Sequence, residues 1–254
     1  MNNQEIRAIA MKQSAFDLNC TAEDFTRGTP KVVLSASSEQ ARKYLELPFF
    51  CNLVSYGFNT VASVDPRIAE FIQGFLENRP AYRCFETPAI HLLTEEFSKY
   101  GKVICYMAEY FLPDVSKLSQ HPCPYPVKLL EPEEFAGFYK EEWSNALCEK
   151  RKQLDRLAAG AYDGGRLIGL AGCSADCEEM WQIGIDVLPD YRKRGVAAAL
   201  TSRLALEVVN RGKVPFYCAA WSNIPSVRNA IACGFRPAWT ELTAIDAEKA
   251  RIYL

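Results

Sequence analysis

The stretch from Trp181 to Gly212 leaves the chain little choice of local structure. Trp181, Ile183, Ile185 and Val187 alternate with Gln182, Gly184 and Asp186, the two-residue period of a strand with one apolar face. Pro189 ends that run, and Asp190-Tyr191-Arg192-Lys193-Arg194-Gly195 makes a tight basic turn. Val196, Leu200, Leu204 and Val208 then recur every four residues, which predicts a helix with one buried stripe. Gly212 stands where a left-handed residue closes such a helix. At the other end, the first-turn N–H groups have no helical acceptor and the macrodipole is positive. Gly195, Ala197 and Ala198 are small enough to let a ligand reach that backbone, so this junction is a candidate phosphate site.

Charge sharpens the point. The 254 residues carry 29 basic and 31 acidic side chains, a formal net charge of −2, which gives no global pull toward nucleic acid or an anionic membrane. From Tyr191 to Lys213, however, six basic residues face one acidic residue, a local excess of +5.

The rest of the sequence predicts an α/β (α+β) protein of two domains, 1–122 and 123–254, because Pro113, Pro122, Pro124 and Pro126 crowd one segment and favour extended linker geometry. In the first half, Asp65-Pro66 followed by Ile68, Phe71, Ile72, Phe75 and Leu76 predicts a capped amphipathic helix. A second helix is expected over Pro88–Tyr100 and a strand over Val103–Met107. In the second half, Val127–Leu130 reads as a strand, and Glu133–Ala146 and Cys148–Leu157 as helices. Ala159–Tyr162 and Arg166–Ser174 read as strands joined by an Asp163-Gly164-Gly165 hairpin turn.

No apolar run is long enough to span a bilayer, and Met1–Ala15 carries Glu5, Arg7 and Lys12 in place of an apolar signal core, so a cytoplasmic protein is expected. Ten scattered cysteines then behave as small hydrophobes. Cys173 and Cys177 lack a second pair, and the two histidines, His91 and His121, stand far from them, so no metal site is expected.

The Arg192-x-x-Gly195-x-Ala197 spacing resembles the pyrophosphate loop of the GNAT superfamily of N-acetyltransferases. Downstream, Asn223-Ile224-Pro225-Ser226 and Cys233-Gly234-Phe235 resemble that family's second motif, in register with the first. Over residues 126–245 the resemblance implies a mixed, mostly antiparallel sheet flanked by helices and splayed between its central strands, with acetyl-CoA in the gap. Arg192, Lys193, Arg194, Gly195, Val196 and Ala197 would hold pyrophosphate. Ile185 and Val187 would pair with the pantetheine arm, the Val187 amide polarising the thioester carbonyl, and Asn223 and Ser226 would contact the arm near the sulfur. The implied reaction is direct attack by a primary amine of a small molecule, with no metal, nucleic acid or membrane as partner. The order of strand and helix signals in the first half permits a degenerate relative of the same fold, as in two-lobed acyltransferases, which would help to shape the acceptor pocket; more loosely, the whole chain resembles the zwittermicin A resistance acetyltransferase group.

The sequence departs from the family at both proton-transfer positions, where Trp181 and Ala230 replace the usual glutamate and tyrosine. Glu179 and Asp186 are the carboxylates best placed in sequence to act as base, directly or through water. The same departures suit a second reading, a non-catalytic acetyl-CoA-binding sensor or interaction module. Trp181 and Trp221 would wall an acceptor pocket or fill core.

Overall fold

The computed structural model describes residues 1–251. Along the chain lie α1 (Asn3–Leu18), β1 (Lys31–Leu34), β2 (Cys51–Ser55), β3 (Val61–Val64), α2 (Ala69–Glu77), α3 (Thr87–Ser98) and β4 (Lys102–Pro113). They are followed by β5 (Val127–Leu130), α4 (Pro132–Phe135), β6 (Asp155–Asp163), β7 (Arg166–Ser174), β8 (Met180–Val187) and α5 (Val196–Asn210). β9 (Val214–Ala219), α6 (Ile224–Ala232), β10 (Phe235–Asp246) and α7 (Ala247–Ala250) complete the order.

Two compact units emerge, one of residues 1–9 and 111–237, the other of 10–110 and 238–254. This differs from the expected division near residue 122. The chain crosses between units inside β4, and the C-terminal part of β10 joins the other unit because Thr240–Ala244 pairs antiparallel with Cys51–Ser55 of β2. The last three residues of the expected 123–254 domain lie outside the described residues.

In the unit of 10–110 and 238–254, the strands run β1-β3-β2-β10-β4. Leu53, Ala62, Val64, Leu242 and Ala244 pack with Ile72, Phe75, Leu93 and Phe97 of α2 and α3. Asp65 caps the turn before α2 by accepting the Arg67 N–H, as the Asp-Pro signal required. Elsewhere in this unit Arg42, 2% exposed, bonds the carboxylates of Asp17 (2.5 Å) and Glu241 (2.9 Å). Burial pushes the Asp17 carboxyl above the ordinary carboxylate range, against the pull of Arg42.

In the unit of 1–9 and 111–237, the order is β9-β8-β7-β6-β5, antiparallel from β5 through β8 and parallel between β8 and β9. The mostly antiparallel sheet flanked by helices is the expected fold. The β6–β7 hairpin turns through Gly164 (φ 54°) and Gly165 (φ 85°), as two adjacent left-handed residues demand. Val196, Leu200, Leu204 and Val208 of α5 are fully buried with Leu157, Ala159, Ile168 and Ile183, each buried Val, Leu or Ile side chain contributing about 1.5–3 kcal/mol.

The two helices expected between Glu133 and Leu157 do not form. In their place stand α4, three 3-10 turns (Ala136–Phe138, Glu141–Trp143, Glu149–Leu154), and then β6 from Asp155. The reason is tertiary: the Asp155 carboxylate accepts from the Tyr139 hydroxyl (3.1 Å) and the Cys148 N–H (2.9 Å), bonds that a regular helix would not allow.

Candidate functional site

A cleft of about 990 Å³ opens where two strands part. β8 pairs with β7 from Gln182 to Val187, but with β9 only over Met180–Gln182. The Leu188 N–H bonds Ile168 of the β7 side (3.0 Å), so by antiparallel alternation the even residues of β8 face β7 and the odd ones face away. Val214 N–H bonding the Glu179 carbonyl toward β9 agrees with this. Beyond the last β9 pair at Gln182–Phe216, then, the N–H and carbonyl of Ile185 and the N–H of Val187 point into the gap as an open strand edge.

The floor of the gap is the start of α5. Gly195 has φ 79° and the preceding Lys193 φ 61°, so the turn bends through left-handed residues that bring successive N–H groups to one side. Ala199 makes the first helical bond, to Gly195, so the amides of Val196, Ala197 and Ala198 precede it, and among the described residues no side chain caps this end. The Arg192 Nε donates to the Val187 carbonyl (3.1 Å), fastening the turn to the strand edge. Tyr191 donates to Asp163 (2.9 Å), fastening it to the hairpin.

Of the residues singled out in the sequence, Ile185, Val187, Arg192, Lys193, Gly195, Val196, Ala197, Asn223 and Ser226 all line this one cleft. Arg194 does not; its guanidinium bonds the Tyr125 hydroxyl (3.0 Å) and stacks on Tyr191. Asn223 is the N-cap of α6, accepting from the Ser226 N–H (3.3 Å). Asp186 lines the cleft, but its carboxylate accepts the Asn145 N–H (2.9 Å), the Ala146 N–H (2.9 Å) and the Asn145 amide group (2.7 Å). Glu179 lies before the first residue of β8, at its paired end and outside the cleft lining. Trp181 packs on the core beneath β8, whereas Trp221 is exposed and meets Phe111 edge-on.

Sequence reasoning missed two contributors. Tyr217 of β9 lines the cleft with its hydroxyl 2.8 Å from that of Ser226, and its ring packs in the same core as Ala230. Burial pushes the Tyr217 phenol up, against the pull of Ser226 and Asn229. Asn145, from the segment read as a helix, lines the opposite wall. Gly172 and Gly184 make room for it: a Cβ on Gly184 would stand 1.8 Å from the Asn145 carbonyl oxygen, and one on Gly172 2.0 Å from that of Ala146.

The arrangement fits a long anionic ligand, with phosphates on the α5 amides and an amide-bearing arm along the open edge of β8. The family model for GNAT acetyltransferases matches residues 66–240. The chain belongs to the GNAT acetyltransferase family. The match begins well before residue 126, within the half that displays no recognisable motif. No curated protein matches the sequence.

Among solved structures, a GNAT-family protein of Novosphingobium aromaticivorans is 20% identical, over 57% of this chain and 66% of its own, with a TM-score of 0.41. A GCN5-related N-acetyltransferase-like protein of Streptococcus suis is 20% identical over 75% of this chain and 82% of its own (TM-score 0.46). The Salmonella typhimurium protein yncA, solved with acetyl-CoA, is 15% identical over 48% and 94% (TM-score 0.37). The matched part spans about two thirds of the Novosphingobium relative's length. Among the described residues no helix is long and apolar enough to cross a membrane, and no group of three or more His, Cys, Asp or Glu could hold a metal ion.

Proposed function

We propose that the cleft binds acetyl-CoA and that the protein transfers the acetyl group to an amine of a small molecule by direct attack in a ternary complex. The observation that carries this reading is the juxtaposition of the uncapped α5 N-terminus with the unpaired Ile185–Val187 edge in one cleft. The amides of Val196 and Ala197, with Arg192 and Lys193, would hold the pyrophosphate. The arm would add to β8 as a strand, leaving the phosphates at Val187 and running past Ile185, and Asn223 and Ser226 would meet the arm near the sulfur. A small-molecule acceptor is favoured over a tRNA or peptide by the balanced charge of the first half, 12 basic against 14 acidic residues through residue 122.

The chemistry asks little more of the protein. The amine nitrogen bonds to the acetyl carbon, the carbon–sulfur bond breaks, the amine's surplus proton leaves to water, and the thiolate takes a proton. Asp186 already accepts three N–H bonds, and Glu179 stands at the far end of β8, so we assign proton removal to water entering the cleft. The Tyr217 hydroxyl, which keeps its proton at neutral pH, is assigned as donor to the departing thiolate, and Ser226 relays a replacement.

The occupied Asp186 carboxylate also favours a second reading, an acetyl-CoA-binding module without turnover. Thiol release from acetyl-CoA, followed across a broad panel of amines, decides between them. Steady release that is lost when Gly195 carries a bulky side chain supports the enzyme. Tight acetyl-CoA binding with no release from any amine supports the module.

A further inference from the structure

The two faces of β8 offer very different surroundings to an acceptor amine. Side chains alternate along β8: Ile183, Ile185 and Val187 enter the core beneath α5, whereas Gly184 and Asp186 meet the 141–147 segment on the opposite face. The α5 face is filled by buried Val196, Leu200 and Ile183, whereas on the opposite face Asn145 lines the cleft with a polar side chain that an amine can meet.

The orientation of the Asn145 side chain is fixed there. Its Nδ2 donates to Asp186 Oδ1 at 2.7 Å, and turning the amide over would set its oxygen against a carboxylate oxygen. The Asn145 backbone is held as well, by its own N–H and that of Ala146 on Asp186 Oδ2. The amide oxygen is therefore the part of Asn145 that Asp186 leaves for other partners.

We propose that Asn145 Oδ1 accepts an N–H of the acceptor amine and aims its lone pair at the acetyl carbon, with Asp186 acting as the positioning residue for Asn145. An attacking amine is neutral and needs its N–H groups directed away from the carbonyl it attacks, which an uncharged amide oxygen does without capturing a proton. The three N–H donors occupy the Asp186 carboxylate with the loop, so its part is to hold Asn145 in place and not to contact the amine itself. This rests on acetyl-CoA occupying the cleft.

The test uses two bisubstrate probes made from CoA, one whose sulfur carries –CH2–CO–NH–butyl and one carrying the matching ester, –CH2–CO–O–butyl. Isothermal titration compares both with CoA itself. The wild type is expected to bind the amide about fivefold to tenfold more tightly than the ester, the worth of one neutral hydrogen bond. Asn145→Ala is expected to erase that ratio and Asp186→Asn to narrow it, while affinity for plain CoA stays within about twofold in both variants. An unchanged ratio in Asn145→Ala, or no preference in the wild type, overturns the proposal with the cofactor reading intact. Failure of plain CoA to bind the wild type overturns both.

Discussion

The hydroxyl of Tyr217 lies 2.8 Å from the hydroxyl of Ser226, joining β9 to the first turn of α6 at the wall of the cleft. Ala230, one turn further along α6, is fully buried in the same core as the Tyr217 ring, so the space a tyrosine at 230 would fill is taken from the neighbouring strand. If Tyr217 protonates the leaving thiolate, Tyr217→Phe is expected to lower kcat by about 10²-fold or more with KM for acetyl-CoA little changed, since ring packing is kept. Steady-state kinetics on an amine found by thiol release checks this, and an unaltered kcat assigns the residue to packing alone.

Gly195 is required by its backbone. At φ 79° a side chain is strained by about 1–2 kcal/mol, although a Cβ there would meet nothing closer than the Pro122 carbonyl at 3.7 Å. Gly195→Val is expected to leave the fold standing while turning the α5 amides out of line, raising the dissociation constant for acetyl-CoA at least about tenfold. Calorimetric titration of both proteins reads the change, and equal affinities would remove this turn from the phosphate site.

What the sequence disclosed depended on how local the cause was. β8 and α5 follow from periodicity because one face of each is apolar, β7 follows from the glycine turn before it, and nine of the ten proposed cofactor contacts line one cleft because they lie on the end of β8 and in two short motifs after it. Phe135, Phe138, Trp143 and Leu147 mimic helical spacing, yet Asp155 and Asp186, distant in sequence, pull this segment into turns. Asn145 was hidden for the same reason. β2 and β3 escaped notice because Asn52 and Ser63 are fully buried opposite one another and break the apolar alternation. Tyr217 carried no motif; the signal was an aromatic in the strand Val214–Ala219, ahead of Asn223-x-x-Ser226.

Glycines 172 and 184 differ from a third strand glycine in what they face. A Cβ at either would strike loop backbone within 1.8–2.0 Å, whereas at Gly160 it would meet the ends of the Leu167 and Tyr162 side chains at 3.0–3.1 Å. Gly184→Ala is therefore expected to displace the 141–147 segment and destabilise the protein by about 1–3 kcal/mol, as overpacking does, with Gly160→Ala milder. Thermal melts of the two variants order them. A Gly184→Ala protein as stable as wild type would mean that this segment does not sit on β8.

Asp114 gives the unit of 1–9 and 111–237 a pH dependence of known sign. Its carboxylate accepts from Ser116 (2.7 Å) and from the Asn3 amide (2.8 Å), and these hydrogen bonds hold its pKa down at about 2 against an ordinary 3.8. The same turn meets Gly234, whose carbonyl accepts the Asp114 N–H (2.9 Å) and whose missing Cβ would stand 2.8 Å from the Lys117 carbonyl oxygen. A depressed carboxyl pKa means that the unfolded chain takes up the proton first as pH falls, so the stabilisation is complete above the unfolded value near 3.8 and is lost between there and about 2. Asp114→Asn is accordingly expected to lower Tm at pH 5–7 by an amount that shrinks as the pH is taken below 4 and vanishes near 2. Paired melts across that range measure it; a Tm difference independent of pH would show that Asp114 acts through shape and not through its charge.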